Sequence, residues 1–444
     1  MAADVYSYLA AAGGTTAPAP AGNSIDYLRS TLNFGDRIHE LEPQESIFFA
    51  HLNKFRKTPT PVPIWKFMEQ RHQWQRRDFL LTDAVTSAVY TSGTTILDTS
   101  TASVHCLYDR FGREQTAAYT PEFFIAGQIV AIQDTAGTAR RFRINATPNP
   151  TSGAGSLEVA MTALFSATTA FAVDAKAQII GSAFAEGTDT PDGWRDELYD
   201  RDGYTQIFKT AVPIMSGTAM ATEFRGKKNE WARVLAEKMK EHKQDLERAA
   251  LFGYGTAGGG ASVQYSWGIL PYTELYGKNY TLNYGDFDYN DFMDIMQDFF
   301  DKRIGNNHRN KLVLCSAKIM NYLNRIGKAS PGFLNNSFGS DAYRLDVQAV
   351  KGSFGQDVMK IHTVFGDLHF TESPQLESLW EDYAVAIDLG NVAWRPLSGN
   401  GISRDTHLNQ NVQDRGLDGR QDELLTEAGL EISLPETHAV IKFS

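Results

Sequence analysis

Along residues 229–252, NEWARVLAEKMKEHKQDLERAALF, the positions Trp231, Leu235, Met239, His242, Leu246 and Ala249 recur every three or four residues. That period predicts an amphipathic helix with one face turned to a core. Asn229 is placed to cap its start and Gly253 its end. Such a helix would run for roughly 36 Å, the span of a whole domain, at 1.5 Å per residue. A second helical stretch, from about Asp288 to Arg303, carries Phe292, Met296 and Phe299 on one face. The apolar run LVLCS and a shorter helix beginning near Ser316 follow it, and helix, strand, helix in that order predicts a mixed α/β domain.

Elsewhere the pattern changes to short strand-like runs. Between about Leu80 and Ile180 the runs FFIAGQIVAIQD, RRFRINAT, SLEVAMTALF and AQIIGSAF are separated by Gly, Pro, Asn and Thr turns. They predict a small antiparallel β unit, a barrel or sandwich, inserted into the chain at about 120–182. Towards the C-terminus VMKIHTVF and LHFTES flank Gly366-Asp367 as a hairpin, followed by YAVAIDL and AGLEISLPETHAVIKFS, all strand-like. Residues 10–23, AAAGGTTAPAPAGN, offer almost nothing to bury and predict a flexible arm. A short helix is expected around Glu45 to Phe55, and Pro59, Pro61 and Pro63 then enforce an extended path along a surface.

The 444 residues, 42% hydrophobic and 21% charged, are globular in composition and long enough for roughly three units of ordinary domain size. A net charge of -11 excludes a chain that coats nucleic acid through a uniformly basic face, so any DNA contact must be local. The two cysteines, Cys106 and Cys315, suggest neither a disulfide framework nor a zinc site. No stretch reaches the ~20 apolar residues of a membrane helix, so no membrane partner is expected.

Chemistry is hard to find. Gly253-Tyr-Gly255-Thr-Ala-Gly258 formally matches a dinucleotide fingerprint, but its glycines follow a helix C-terminus instead of opening a helix, so a helix cap and loop is the better reading. There is no GxSxG, HExxH or CxxC, and the ten histidines are scattered. No catalytic, metal or cofactor residues are assigned, and no enzyme is expected.

Two charge clusters remain. Lys54, Arg56, Lys57, Lys66, Arg71, Arg76 and Arg77 are opposed only by Glu69; Glu186, Asp189, Asp192, Asp196, Glu197, Asp200 and Asp202 are opposed by Arg195 and Arg201. They are either two solvated surfaces, or a basic arm of one copy lying on the acidic segment of another, or in part facing DNA.

Several stretches in a shared order resemble the tailed-phage major capsid proteins of the Hong Kong 97-type fold, in a branch with a β insertion in the extended loop. They are RIHELEPQESIFFAHLNKF followed by Trp65, GSAFAEGTDTP at 181–191, YTQIFKTAVPIMSGTA at 204–219, DLERAALFG closing the long helix, and AIDLGNVAWRPL with TEAGLEISLPETHAVI near the end. Gly203 stands where that family often has Asn, a departure read as lying at a turn. The resemblance implies an α+β subunit. Its N-terminal arm would cover 1–65, the extended loop 66–210, and a peripheral domain with its spine helix 211–262. An axial domain with returning strands would follow at 263–398, and closing strands at 399–444. It also implies self-assembly into hexamers and pentamers of an icosahedral shell enclosing double-stranded DNA, built in the host bacterial cytoplasm. Portal, scaffold or cementing proteins would be partners, without cofactors or a crosslink. Phe48, Phe49, Trp65, Trp74 and Phe208 are candidate anchors between copies, with burial in their own subunit as the equal alternative. Arg76, Arg77, Glu186, Asp189, Asp192, Asp196 and Glu197 are the charged candidates. The rival readings are a phage tail or decoration protein, or a hydrolase with a β carbohydrate-binding module.

Overall fold

The computed structural model describes residues 56–70, 77–82, 95–97, 101–106, 123–148, 157–164, 170–172, 175–193, 198–224, 228–256, 263–284, 289–301, 307–329, 346–351 and 357–444. The expected arm at 10–23, the helix at 45–55 and the candidates Phe48, Phe49, Trp74, Arg76, Asp196 and Glu197 lie outside them.

The first described stretch is extended, and its prolines explain where it sits. Thr58 and Thr60 donate their N–H groups to the carbonyls of Trp394 and Pro396, both at 2.9 Å. Pro59 and Pro61, between and after them, have no N–H to leave unsatisfied on the outer side, which suits a strand at a sheet edge. The chain then enters β1 (Ile64–Glu69), which pairs antiparallel with β10 (Tyr199–Tyr204) as a two-stranded ribbon.

Between the two strands of the ribbon lies a closed six-stranded barrel. Its members are β2 (Asp78–Thr82), β4 (Thr101–Cys106), β5 (Gln128–Gln133), β6 (Ala139–Ile144), β7 (Leu157–Ala163) and β9 (Lys176–Ser182), in the order β2-β4-β7-β6-β5-β9. Two short strands, β3 (Thr95–Leu97) and β8 (Ala170–Ala172), pair outside that circuit. Alternate residues fill the interior, among them Phe79, Leu81, Val130, Ile132, Phe142 and Ile144. Phe79 meets Phe124 edge to face at 5.0 Å. The barrel therefore begins at Asp78, close to the Leu80 from which strand-like runs were expected and ahead of the narrower 120–182 bounds, because β2 bridges β4 and β9 and closes the circuit.

After the ribbon come β11 (Gln206–Ala211), β12 (Met215–Ser216) and the short helix α1 (Gly217–Ala221). The long helix α2 spans Glu230–Phe252, and the Asn229 side chain accepts the Ala232 N–H at 3.1 Å, as the cap predicted. Its end differs in mechanism. Gly253 has φ -60 and ψ 137, an extended cap and not a left-handed one; glycine is needed because a Cβ would come within 2.6 Å of the Ala249 and Ser266 carbonyls.

The helix packs on a peripheral sheet ordered β11-β24-β19, with β22 also on β24. These are β19 (Val392–Pro396), β22 (His407–Asn409) and β24 (Glu423–Ile432). Short pairings join β12 to β23 (Gly419–Arg420), and β20 (Ser398–Gly399) to β21 (Ile402–Ser403). A seven-stranded mixed sheet forms the axial part, ordered β13-β25-β18-β14-β17-β16-β15. Its strands are β13 (Lys278–Leu282), β14 (Asn310–Cys315), β15 (Asp346–Lys351), β16 (Asp357–His362), β17 (Asp367–Glu372), β18 (Tyr383–Ile387) and β25 (Ala439–Phe443). The hairpin expected at Gly366-Asp367 is β16–β17.

Central β14 is buried on both faces, which is why it reads as a continuous apolar run and not an alternating one. Leu312 and Leu314 join Leu246 and Leu251 of α2, Ile269 and Leu270 of α3 (Ile269–Tyr276), and Trp394 in one core. Val313 and Cys315 face α4 (Tyr289–Phe299) and α5 (Ala317–Ala329), against Phe292, Met296 and Ile319. The axial sheet is thus shared, and the peripheral part has no core separate from it. Lys278 closes the end of α4, donating to the Asp298 carbonyl and carboxylate at 2.5 and 2.9 Å, where a cation meets the helix dipole favourably.

Candidate assembly surfaces

The ribbon is the element with least of its own core, so how it is fixed matters. On β1 the burial alternates, with Trp65 and Glu69 inward and Ile64, Lys66 and Met68 outward. Opposite Trp65 stands Gly203, a residue of β10 and not of a turn as the sequence suggested. A Cβ on Gly203 would lie 2.3 Å from the Trp65 ring, and one on Gly429 would lie 2.5 Å from it. The indole therefore occupies the space that two glycines leave, clamping the ribbon onto the peripheral sheet.

At the barrel end of the ribbon Glu69 takes the Leu434 N–H at 2.7 Å and the Arg201 guanidinium at 2.7 Å. Arg201 in turn stacks over Tyr276 at 4.4 Å. Trp65 is 5% exposed and Phe208 9% exposed, so both are buried inside their own subunit, the second of the two alternatives open to them. The other faces of the same strands are open: Met68 is 71% exposed, and Ile64 and Ile207 are about half exposed, as is Ile214 between β11 and β12.

The two charge clusters meet in part within one chain. Lys66 reaches Asp200 at 2.6 Å and Asp202 at 3.4 Å across the ribbon, and Lys57 pairs with Asp405. The hydrogen bond to Asp200 raises the Lys66 ammonium and lowers the Asp200 carboxyl, although such exposed pairs contribute little to stability. Arg56 donates to the Gly390 carbonyl at 3.0 Å, and Arg77 adopts φ 50 beside β2. Glu186, Asp189 and Asp192 are exposed; Asp192 accepts the Thr147 hydroxyl at 3.2 Å.

Polar groups that the sequence did not single out lie buried in the axial part. Lys311 bonds Asp388 at 2.6 Å and the Thr437 carbonyl at 3.1 Å. Burial pushes the Lys311 ammonium down to about 8. Burial alone would raise Asp388, but the Lys311 charge and hydrogen bonds from Lys311 and His308 hold it below the usual carboxylate range. His438 accepts the Asp388 N–H at 3.1 Å, and full burial drives its imidazole down to about 3. His242, on α2, sits between the Thr210 and Thr426 hydroxyls at 2.9 and 2.7 Å and is likewise lowered by burial. The only sequence signal for these residues was polar side chains inside apolar runs. They tie elements together, and burial disfavours the charged form of both imidazoles.

Of the glycine motif, Gly253 is the helix cap, and Gly255 lies under the Trp267 ring, where a Cβ would come within 2.3 Å. Beside it, a shallow groove of about 500 Å³ is lined by Arg248, Phe252, Tyr254, Tyr265 and Trp380, with Leu379 78% exposed at its rim. Among the described residues no three His, Cys, Asp or Glu side chains are grouped to hold a metal ion. No described helix is long and apolar enough to cross a membrane.

No curated protein matches the sequence. Among solved structures, a chain of Microbacterium phage Oxtober96 is 12% identical, covering 94% of this chain and 97% of its own at a TM-score of 0.43. A chain from the capsid of a native GTA particle is 7% identical, covering 94% and 96% at 0.42. One from the mature capsid of bacteriophage PhiM1 is 11% identical, covering 59% and 78% at 0.38. Superpositions this loose carry no argument by themselves. The family model of the SU10 major capsid protein, however, matches residues 15–443, nearly the whole chain. An α+β subunit with a ribbon, an inserted barrel, a long helix and a shared axial sheet is thus a capsid-forming subunit of the virion shell, and the chain belongs to the SU10 major capsid protein family.

Proposed function

We propose that this subunit builds an icosahedral phage head from hexamers and pentamers around double-stranded DNA, without catalytic activity, and that it assembles in the host bacterial cytoplasm. The family match over residues 15–443 carries this reading. The ribbon supports it, because a two-stranded ribbon is marginal in water and this one keeps an open apolar face at Ile64 and Met68. On this reading 1–65 is an arm, 66–210 the extended loop with its barrel, 211–262 the peripheral part, 263–398 the axial part, and 399–444 the closing strands. Portal, scaffold or cementing proteins are the expected partners. The charged candidates Arg76, Arg77, Asp196 and Glu197, and the aromatic candidates Phe48, Phe49 and Trp74, belong to contacts between copies. With Trp65 and Phe208 used internally, Met68, Ile64 and Ile207 take over as the apolar contacts of their strands.

Electron microscopy and size-exclusion of the expressed full chain test the proposal. Capsomers or shells are the expected result. A small oligomer that forms no particles at any concentration or salt would refute it.

A further inference from the structure

The barrel separates charge in a way that a shell-forming role alone does not require. On β6, Phe142 and Ile144 fill the interior, and strand alternation turns Arg141 and Arg143 outward. Arg143 stands between Ile129 of β5 and Thr162 of β7, and Arg141 lies opposite Ala131 of β5, with Gln178 of β9 one strand further. Lys176 is exposed on the same side of β9. Arg140 is engaged by Asp134 at 2.9 Å, but among the described residues Arg141, Arg143 and Lys176 form no ion pair. Along that row the first carboxylate is Asp78 of β2, opposite Gln178 and three strands from Arg141, roughly 14 Å at ordinary strand spacing.

At one end of the same barrel, residues 183–193 form an acidic strap. It is pinned at two places. The Phe184 ring covers Gly127 so closely that a Cβ there would come within 2.4 Å, and Asp192 takes the Thr147 hydroxyl. Between the pins, Thr188 bonds the Ala185 carbonyl through its N–H and hydroxyl at 3.3 and 2.8 Å, and Gly187 has φ 76. Glu186 and Asp189 are exposed without an ion pair among the described residues, and no Lys or Arg occurs in 181–193. Asp200 and Asp202, by contrast, already face Lys66.

We propose that the acidic strap of one subunit's barrel, Glu186, Asp189 and Asp192, docks on the cationic face of the next subunit's barrel, Arg141, Arg143 and Lys176. The occupant is a second copy because each barrel carries both halves, end against side. Such a contact is heterologous, the kind that closes into rings around a rotation axis. Charge complementarity of this sort fixes register and excludes wrong pairings more than it adds affinity. The proposal rests on the capsid reading.

The full-length chain is assembled at low and high salt, and particles are counted by microscopy and sedimentation. Arg141→Glu with Arg143→Glu, or Glu186→Lys with Asp189→Lys, should each lower particle yield by roughly tenfold at low salt. Combining all four should restore it to within about twofold of the parent, because the swapped charges again match. Circular dichroism of each variant confirms that the barrel folds. Either reversal assembling like the parent would overturn the docking. So would a four-site variant no better than the two-site ones, which would assign the face to DNA or an accessory protein. A parent chain that forms no particles refutes the capsid reading itself, before any variant is compared.

Discussion

Gly203 shows how one missing Cβ shapes a larger element. The Trp65 ring fills the space in front of it, with Gly429 on the far side, so the ribbon approaches the peripheral sheet more closely than any other residue pair there would allow. Gly203→Val should destabilise the subunit by about 1–3 kcal/mol through overpacking, measured by urea unfolding. Trp65→Ala should cost ~3–5 kcal/mol through the cavity it leaves. His438 gives a pH signature at the same scale. Its folded value, about 3, lies below that of a free imidazole, so the unfolded chain binds the extra proton first. Stability is therefore fully present above pH ~6.5 and declines as pH falls towards 3, by roughly 3 kcal/mol at pH 4.5 from this group alone. Denaturant midpoints between pH 7.5 and 4.5 should shift less in His438→Gln than in the parent.

Among the elements, the long helix divides into two halves. Its C-terminal half buries Leu246, Ala250 and Leu251, while Met239, predicted on the inner face, is exposed. Periodicity identified the stripe but not where the packed neighbours end. Trp231 near the start is covered by Arg420, whose guanidinium lies 5.1 Å from its ring, a contact between residues almost two hundred positions apart. Removing the cap with Asn229→Ala should cost about 1 kcal/mol and fray that first turn, visible in amide hydrogen exchange. The barrel has a closed hydrogen-bonding circuit and its own apolar core. Residues 77–183 expressed alone should therefore unfold cooperatively; a non-cooperative melt would mean that it borrows stability from the ribbon.

At the level of the molecule, one axial sheet serves the cores on both of its sides, so the peripheral and axial parts share a packed boundary. Outside those two cores lie the ribbon and its barrel, and the ribbon keeps open apolar positions on the face away from the sheet. Met68→Asp with Ile207→Asp should leave subunit stability within about 0.5 kcal/mol, since both side chains are exposed, yet reduce particle yield. Sedimentation beside urea unfolding separates the two effects, and unchanged yield would remove these strands from the contact between copies.

The long helix with its Asn229 cap, the Gly366-Asp367 hairpin, the doubly buried strand around Val313 and the strand-rich insertion were all determined by the sequence, because each depends on residues within about ten positions of one another. The closure of the barrel by Asp78 of β2 against Gln178 of β9, the use of Gly203 as a seat for Trp65, and the pairing of Lys66 with Asp200 and Asp202 were decided only by tertiary structure. Each joins residues that chain closure brings together across a hundred or more positions, and local periodicity carries no information at that range.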